Sequence, residues 1–191
     1  METYPSLELG LDTEGTRRLR EIAYEAGAFL TGEFTLTSGR KSNYYIDGKR
    51  ITLSPEGAYL VGKAIFDELV KTGVDAVGGV ATGAYPMVTS VALVSQLEGK
   101  AIPAFIVREV AKEHGTMRQI EGHLKEGSRV AIVDDVLTTG GSVLKAIEAV
   151  EEAKCRVVKV MVLVDRREGG SDRLKQEGYD FTALLHICQS R

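Results

Sequence analysis

The sequence predicts an α/β domain with a central, mostly parallel sheet flanked by helices. Three observations carry this. Short β-branched apolar runs alternate with helix-length amphipathic stretches from about residue 55 onward. Several of those runs, such as residues 130–133 and 157–164, are apolar at nearly every consecutive position. Glycines also gather where the runs end. A strand that is apolar on both faces must be covered on both, as in a parallel sheet between helical layers. The 191 residues suit one domain, 1–191, with about 55–187 as the α/β core and about 1–50 as a small N-terminal piece packed over one end.

The elements follow in order. Residues 13–29 carry Leu19, Ile22, Ala23 and Ala26 at helical spacing and read as an amphipathic helix. In the next segment Phe34/Leu36 and Tyr44/Ile46 alternate around a polar Ser-Gly-Arg-Lys-Ser-Asn turn, the pattern of two short strands. Ser54-Pro55-Glu56 has the grammar of a helix start, and Gly73 stops the helix that runs through Leu60, Ile65, Phe66 and Leu69. Strands are then expected at 76–80, 101–107, 129–135, 157–165 and 181–187, with helices from about Pro86 to Leu97 and over 142–153. Residues 108–126 are polar and read as a loop.

Composition narrows the function. With 24 Lys+Arg against 27 Asp+Glu the net charge is -3, which argues against binding nucleic acid by bulk charge. No run approaches the roughly 18 apolar residues of a membrane span, and the first residues lack the basic-then-apolar pattern of a signal peptide. Cys155 and Cys188 stand far apart, so neither a disulfide framework nor a structural zinc site is expected, and a reducing cytoplasm is the default location. The three histidines show no HExxH spacing; His123, His186 and both cysteines are read as structural, and no side chain is assigned as a metal ligand.

The densest signal is the segment from Arg129 to Ser142, VAIVDDVLTTGGS after its arginine. A buried strand ends in two carboxylates, Asp134 and Asp135, and a small-residue turn then opens a helix. Ligands of open α/β sheets bind at the carboxyl ends of the strands. Thr138, Thr139, Gly140, Gly141 and Ser142 offer hydroxyls, backbone N–H groups and the positive end of a helix, a set that suits a phosphate monoester. Carboxylates repel phosphate, so the acidic pair should face ribose hydroxyls, a hydrated cation or both. Together they read as a site for a phosphorylated sugar. Taken alone, the same residues are also compatible with a strand end and an ordinary capped turn. No GxxxxGK[ST] or GxGxxG motif is present, which excludes a P-loop NTPase and a dinucleotide-binding turn.

VAIVDDVLTTGGS resembles the 5-phosphoribosyl-1-diphosphate (PRPP) motif of the type I phosphoribosyltransferases. The resemblance implies that Asp134, Asp135, Val136, Leu137, Thr138, Thr139, Gly140, Gly141 and Ser142 cradle the ribose-5-phosphate. Further segments are similar to the orotate phosphoribosyltransferases: GEFTLTSGRKSNYYIDGKR to their hood, Arg108–Gly115 to their mobile catalytic loop, residues 79–87 to their diphosphate turn, and residues 164–170 to the stretch with their orotate-contacting arginine. That family implies transfer of phosphoribosyl from PRPP to orotate, giving orotidine 5′-monophosphate and diphosphate in pyrimidine synthesis. It also implies Mg²⁺ bound mainly through PRPP, and a homodimer whose loop reaches the partner's site. Lys112 is then the catalytic cation with Asp134 and Asp135. Arg108, Lys112 and His114 meet the diphosphate, and Arg166 meets the orotate carboxylate.

Reaction chemistry is consistent with that assignment. Displacing diphosphate from C1 leaves positive charge on the sugar and negative charge on the leaving group, so cations are needed more than proton chemistry. Without the downstream motif, Arg108, Lys112 and His114 would read as a solvated loop, and Arg166 as part of an ordinary Arg-Arg pair. Tyr45 either packs or lines the pocket. Three positions depart from many relatives: Glu109 where a second basic residue follows the loop arginine, and Thr37 and Gly83 where some carry lysine. The alternatives are a purine or other base phosphoribosyltransferase and a PRPP-sensing regulator; the hood and Arg166 weigh against the first, and the overall charge, with no appended helix-turn-helix and with Lys112 and His114 retained, against the second.

Overall fold

The computed structural model describes residues 5–35, 39, 41–108 and 119–188. In chain order the elements are β1 (Leu7–Leu9), α1 (Glu14–Glu25), β2 (Phe29–Thr35), β3 (Lys41–Ile46), α2 (Lys49–Thr52), α3 (Pro55–Thr72), β4 (Ala76–Val80) and α4 (Ala84–Leu97). They continue with β5 (Ala104–Val107), β6 (Ile120–Gly122), β7 (Arg129–Leu137), α5 (Gly141–Glu152), β8 (Arg156–Asp165), α6 (Gly170–Gln176) and β9 (Phe181–Ile187). Seven strands form one sheet in the order β1-β9-β8-β7-β4-β5-β6, and β2-β3 form a separate ribbon. Strands β9, β8, β7, β4 and β5 are mutually parallel; β1 and β6 close the edges antiparallel.

The continuous apolar runs have the predicted cause. Along β7, Ala131 and Val133 face the layer formed by α1, α3 and α4, while Val130 and Ile132 face the layer of α5 and α6. All four are fully buried. The direction in which successive strands are added to the sheet reverses between the parallel neighbours β4 and β7. From β4 the chain crosses to β5 through α4 on one face; from β7 it crosses to β8 through α5 on the other. The carboxyl ends of β4 and β7 are therefore a topological switch point, where a crevice opens.

Local chemistry accounts for the boundaries. Thr13 and Thr16 form a reciprocal capping box at the start of α1. This helix ends sooner than the 13–29 expected, because Gly27 turns left-handed (φ 60°) and releases Phe29 into β2. Ser54 Oγ accepts the Gly57 N–H at 3.1 Å and Pro55 occupies the first turn of α3, which Gly73 terminates in the left-handed region, all as expected. Helix α4 begins two residues before Pro86, since proline is tolerated in a first turn where its missing N–H has no partner to lose. Strand β5 is shorter than 101–107: Pro103 cannot donate to a ladder, and Ile102 N–H is taken by Ser95 Oγ at 2.8 Å.

Four elements lie outside the expected pattern. β1, α2 and β6 have only three or four residues each, too few for a periodicity. The seven-residue α6 follows a glycine turn that reads as loop. Consequently the first fifty residues are not one unit: β1 joins the main sheet beside β9, α1 packs on α3 and the β8–β9 layer, and only β2-β3 stands apart.

Candidate active site

Both strands at the switch point end in small-residue turns. After β4 comes Ala81-Thr82-Gly83, with a cis Ala81–Thr82 peptide, leading into α4. After β7 comes Thr138–Gly140, leading into α5. Between them, roofed by the β2-β3 ribbon, lies a cavity of about 810 Å³.

The acidic pair forms its floor. Asp134 Oδ1 accepts the Asp135 N–H at 3.0 Å, Asp135 Oδ1 accepts the Val136 N–H at 2.9 Å, and Ser142 Oγ donates to Asp134 Oδ2 at 3.4 Å. Burial, reinforced by the adjacent Asp135 charge, pushes the Asp134 carboxyl up to about 7. Asp135 reaches further into the opening, where Lys49 Nζ stands 3.6 Å from its Oδ2.

The turn after β7 is backbone-built. Gly140 adopts the left-handed region (φ 81°) and precedes α5 with no side-chain cap, so the helix presents its first N–H groups without an internal competitor. Thr138, Thr139, Gly141 and Ser142 line the cavity, as does Val136. Gly170 supports the turn from behind by donating its N–H to the Thr138 carbonyl at 3.0 Å. Gly140 and Leu137 do not line the opening. Leu137 is 1% exposed, its side chain packed under α5, because the strand alternation that turns Val136 toward the cavity turns Leu137 away. Its contribution is a carbonyl that accepts the Arg166 N–H at 3.0 Å.

Arg166 is 3% exposed and still lines the cavity. Its charge is compensated: Nε donates to Glu168 Oε1 at 2.7 Å, a terminal nitrogen donates to Ser42 Oγ at 3.1 Å, and the guanidinium carbon lies 4.3 Å from the Tyr44 ring centroid. A buried, braced guanidinium of this kind is not the solvent-exposed arginine of an ordinary Arg-Arg pair. Tyr45 lines the same cavity, its ring 5.6 Å from Phe34, which resolves the choice the sequence left open.

Arg108 also reaches the cavity, with its Nε 3.2 Å from Glu121 Oε1. Lys112, His114, Thr37 and Glu109 lie outside the described residues. Two cavity cations had not been singled out. Lys145 sits three positions beyond Ser142 on α5, a spacing that would have found it. Lys49 follows Asp47-Gly48 at the head of α2 and has no comparable signal. Cys155 is buried with Sγ against the Lys125 carbonyl at 3.1 Å, in keeping with its structural reading.

Comparison with known proteins shows the family. The family model described as phosphoribosyl transferase domain matches residues 49–181. The orotate phosphoribosyltransferase of Aquifex aeolicus is 44% identical over 156 residues, covering 82% of this chain and 85% of its own. Among solved structures, the orotate phosphoribosyltransferase of Mycobacterium tuberculosis in complex with Fe(III) dicitrate superposes with a TM-score of 0.78 at 35% identity, covering 90% of this chain and 96% of that one. The same protein in complex with PRPP gives a TM-score of 0.73 at 31% identity over 90% and 96% of the two chains. The chain belongs to the orotate phosphoribosyltransferase family, within the type I phosphoribosyltransferases.

Proposed function

We propose that this chain transfers the 5-phosphoribosyl group of PRPP to orotate, giving orotidine 5′-monophosphate and diphosphate in pyrimidine nucleotide synthesis. One observation carries the reading: a phosphate-type turn, an acidic doublet and a braced guanidinium open on one cavity, and orotate is a base that brings a carboxylate. Family membership supports it.

The residues divide the work by charge. The Thr138–Ser142 turn takes the 5′-phosphate through N–H groups and hydroxyls. Asp134 and Asp135 accept from the ribose hydroxyls, which fixes C1 beneath the base and favours positive charge as it develops on the ring. Arg166 offers planar donors to the orotate carboxylate, and Tyr45 walls the base side. Arg108, Lys112 and His114 attract the departing diphosphate; a water-poor site strengthens that attraction.

Mg²⁺ fits these residues. Two adjacent carboxyl groups lining one cavity are a donor set this ion takes when phosphates and waters complete its shell, and its charge would favour the ionised form of Asp134. Asp134 and Asp135 would hold it, and when bound it neutralises diphosphate charge. We place the activity in the cytoplasm, and in a homodimer in which residues 108–115 of one subunit serve the other's site. Among the described residues no helix is long and apolar enough to cross a membrane.

Mixing protein, Mg²⁺ and PRPP with orotate, adenine, xanthine or uracil tests the reading. Orotate alone should be consumed, followed by its ultraviolet absorbance. Turnover of a purine in its place would favour the purine-type alternative.

A further inference from the structure

Asp135 is held in a slot made by two glycines from different helix heads. A Cβ on Gly48, before α2, would lie 3.0 Å from the Asp135 Cβ and 3.1 Å from its Oδ2. A Cβ on Gly83, before α4, would overlap the same carboxylate, with its Cγ at 2.7 Å. Any side chain at position 83 therefore requires the Asp135 carboxylate to shift, and with glycine there the turn after β4 brings no cation of its own. Lys49 sits beside this slot. Its Nζ is 3.6 Å from Asp135 Oδ2 and 3.8 Å from Asp47 Oδ1, both longer than a good hydrogen bond, so charge holds it while its donors remain largely uncommitted. The side chain is 41% exposed, and it lines the same cavity as Thr82 and Gly83 of the β4 turn.

The other cavity cations on described elements are placed differently. Arg166 is buried against Glu168, Arg108 pairs with Glu121, and Lys145 rises from α5 beside the 5′-phosphate turn. Lys49 is the one that touches the acidic doublet.

We infer that Lys49 is a donor-binding residue for the diphosphate end of PRPP, supplying from the head of α2 the positive charge that the turn at Gly83 does not carry. In the free protein it rests on Asp135. When Asp135 turns to the ribose hydroxyls or a cation, the ammonium is released to diphosphate oxygens a short reach away. The inference rests on the phosphoribosyl-transfer reading above and adds a residue to it.

Titration calorimetry with Mg²⁺ present, using PRPP, inorganic diphosphate and ribose 5-phosphate as separate probes, tests it on wild type, Lys49→Met and Lys49→Arg. Methionine keeps an apolar stem, and a thermal melt confirms the fold. Removing a charged hydrogen bond should weaken PRPP and diphosphate binding at least tenfold. Ribose 5-phosphate should bind as in wild type, arginine should recover most of the loss, and steady-state kinetics should show a raised KM for PRPP with the orotate KM unchanged. Equal weakening of all three probes, or loss confined to ribose 5-phosphate, would show that Lys49 only steadies Asp135 and would overturn the inference; so would unchanged diphosphate affinity. Failure of the underlying reading looks different, because then wild type itself binds no PRPP and consumes no orotate.

Discussion

The Arg166 guanidinium lies 4.3 Å from the Tyr44 ring centroid and donates to Ser42 Oγ at 3.1 Å, joining the end of β8 to the β2-β3 ribbon across 124 residues of sequence. The ribbon thereby walls the cavity beside Arg166 and fixes the plane of its guanidinium, which on the proposed reading meets orotate.

Arg166→Lys tests that geometry. It keeps the charge but loses the fork and the stacking, so the orotate KM should rise about tenfold or more, with the PRPP KM nearly unchanged. Tyr44→Leu should give a smaller rise, in line with a cation–π contact of about 0.5–2 kcal/mol. Steady-state kinetics with each substrate varied in turn is the measurement. Equal effects on both substrates would remove Arg166 from the acceptor side.

Asp134 predicts a pH dependence. Burial and the Asp135 charge raise its carboxyl from 3.8 to about 7, so it is largely neutral below that pH and ionises above it. If the carboxylate is the form that accepts from ribose, kcat/KM for PRPP rises as pH passes about 7 and then levels. Asp134→Asn should lower the value and remove that step. Stability runs the other way. A carboxyl whose folded pKa lies above its unfolded one stabilises most below about pH 4 and loses that contribution as pH rises through about 7. Denaturant unfolding from pH 5 to 8 should therefore show a downward slope that Asp134→Asn flattens.

Gly170→Ala probes the anion turn from behind. The new Cβ would lie 2.5 Å from the Thr138 carbonyl oxygen and 2.9 Å from the Gly140 nitrogen, backbone atoms that cannot swing aside. The turn must shift, at a cost of about 1–3 kcal/mol, and affinity for ribose 5-phosphate should fall with it. Chemical denaturation and calorimetry read the two effects. An unchanged phosphate affinity would detach the turn from phosphate binding.

Much of this site was legible because its signal is local. A buried strand, two acids, small residues and a helix start lie within fourteen consecutive residues, Arg129–Ser142, and the structure keeps them contiguous. What was not legible depends on contacts distant in sequence or on direction within a strand. Leu137 belongs to the motif yet faces the core, because alternation along β7 assigns it to the opposite face from Val136. Lys49 gains its meaning only when α2 is brought against Asp135, far along the chain. The edge strand Leu7–Leu9 is too short to announce itself and is held by its register with Leu185–Ile187.

Lys112→Ala should reduce kcat about a hundredfold or more, since removing one preorganised charge from a developing anion costs that order of rate. The PRPP KM should change less than kcat. Single-turnover kinetics separates the chemical step from binding, and an unaltered rate for that step would take Lys112 out of the reaction.

The most direct measurement is a crystal structure with PRPP and Mg²⁺ in a protein shown to be folded. The 5-phosphate is expected on the N–H groups of the Thr138–Ser142 turn, the ribose hydroxyls on Asp134 and Asp135, and the diphosphate toward Lys49 and the turn after β4. Clear density for PRPP at any other place on the molecule, with the acidic doublet left in solvent, would rule out this site as the seat of phosphoribosyl transfer.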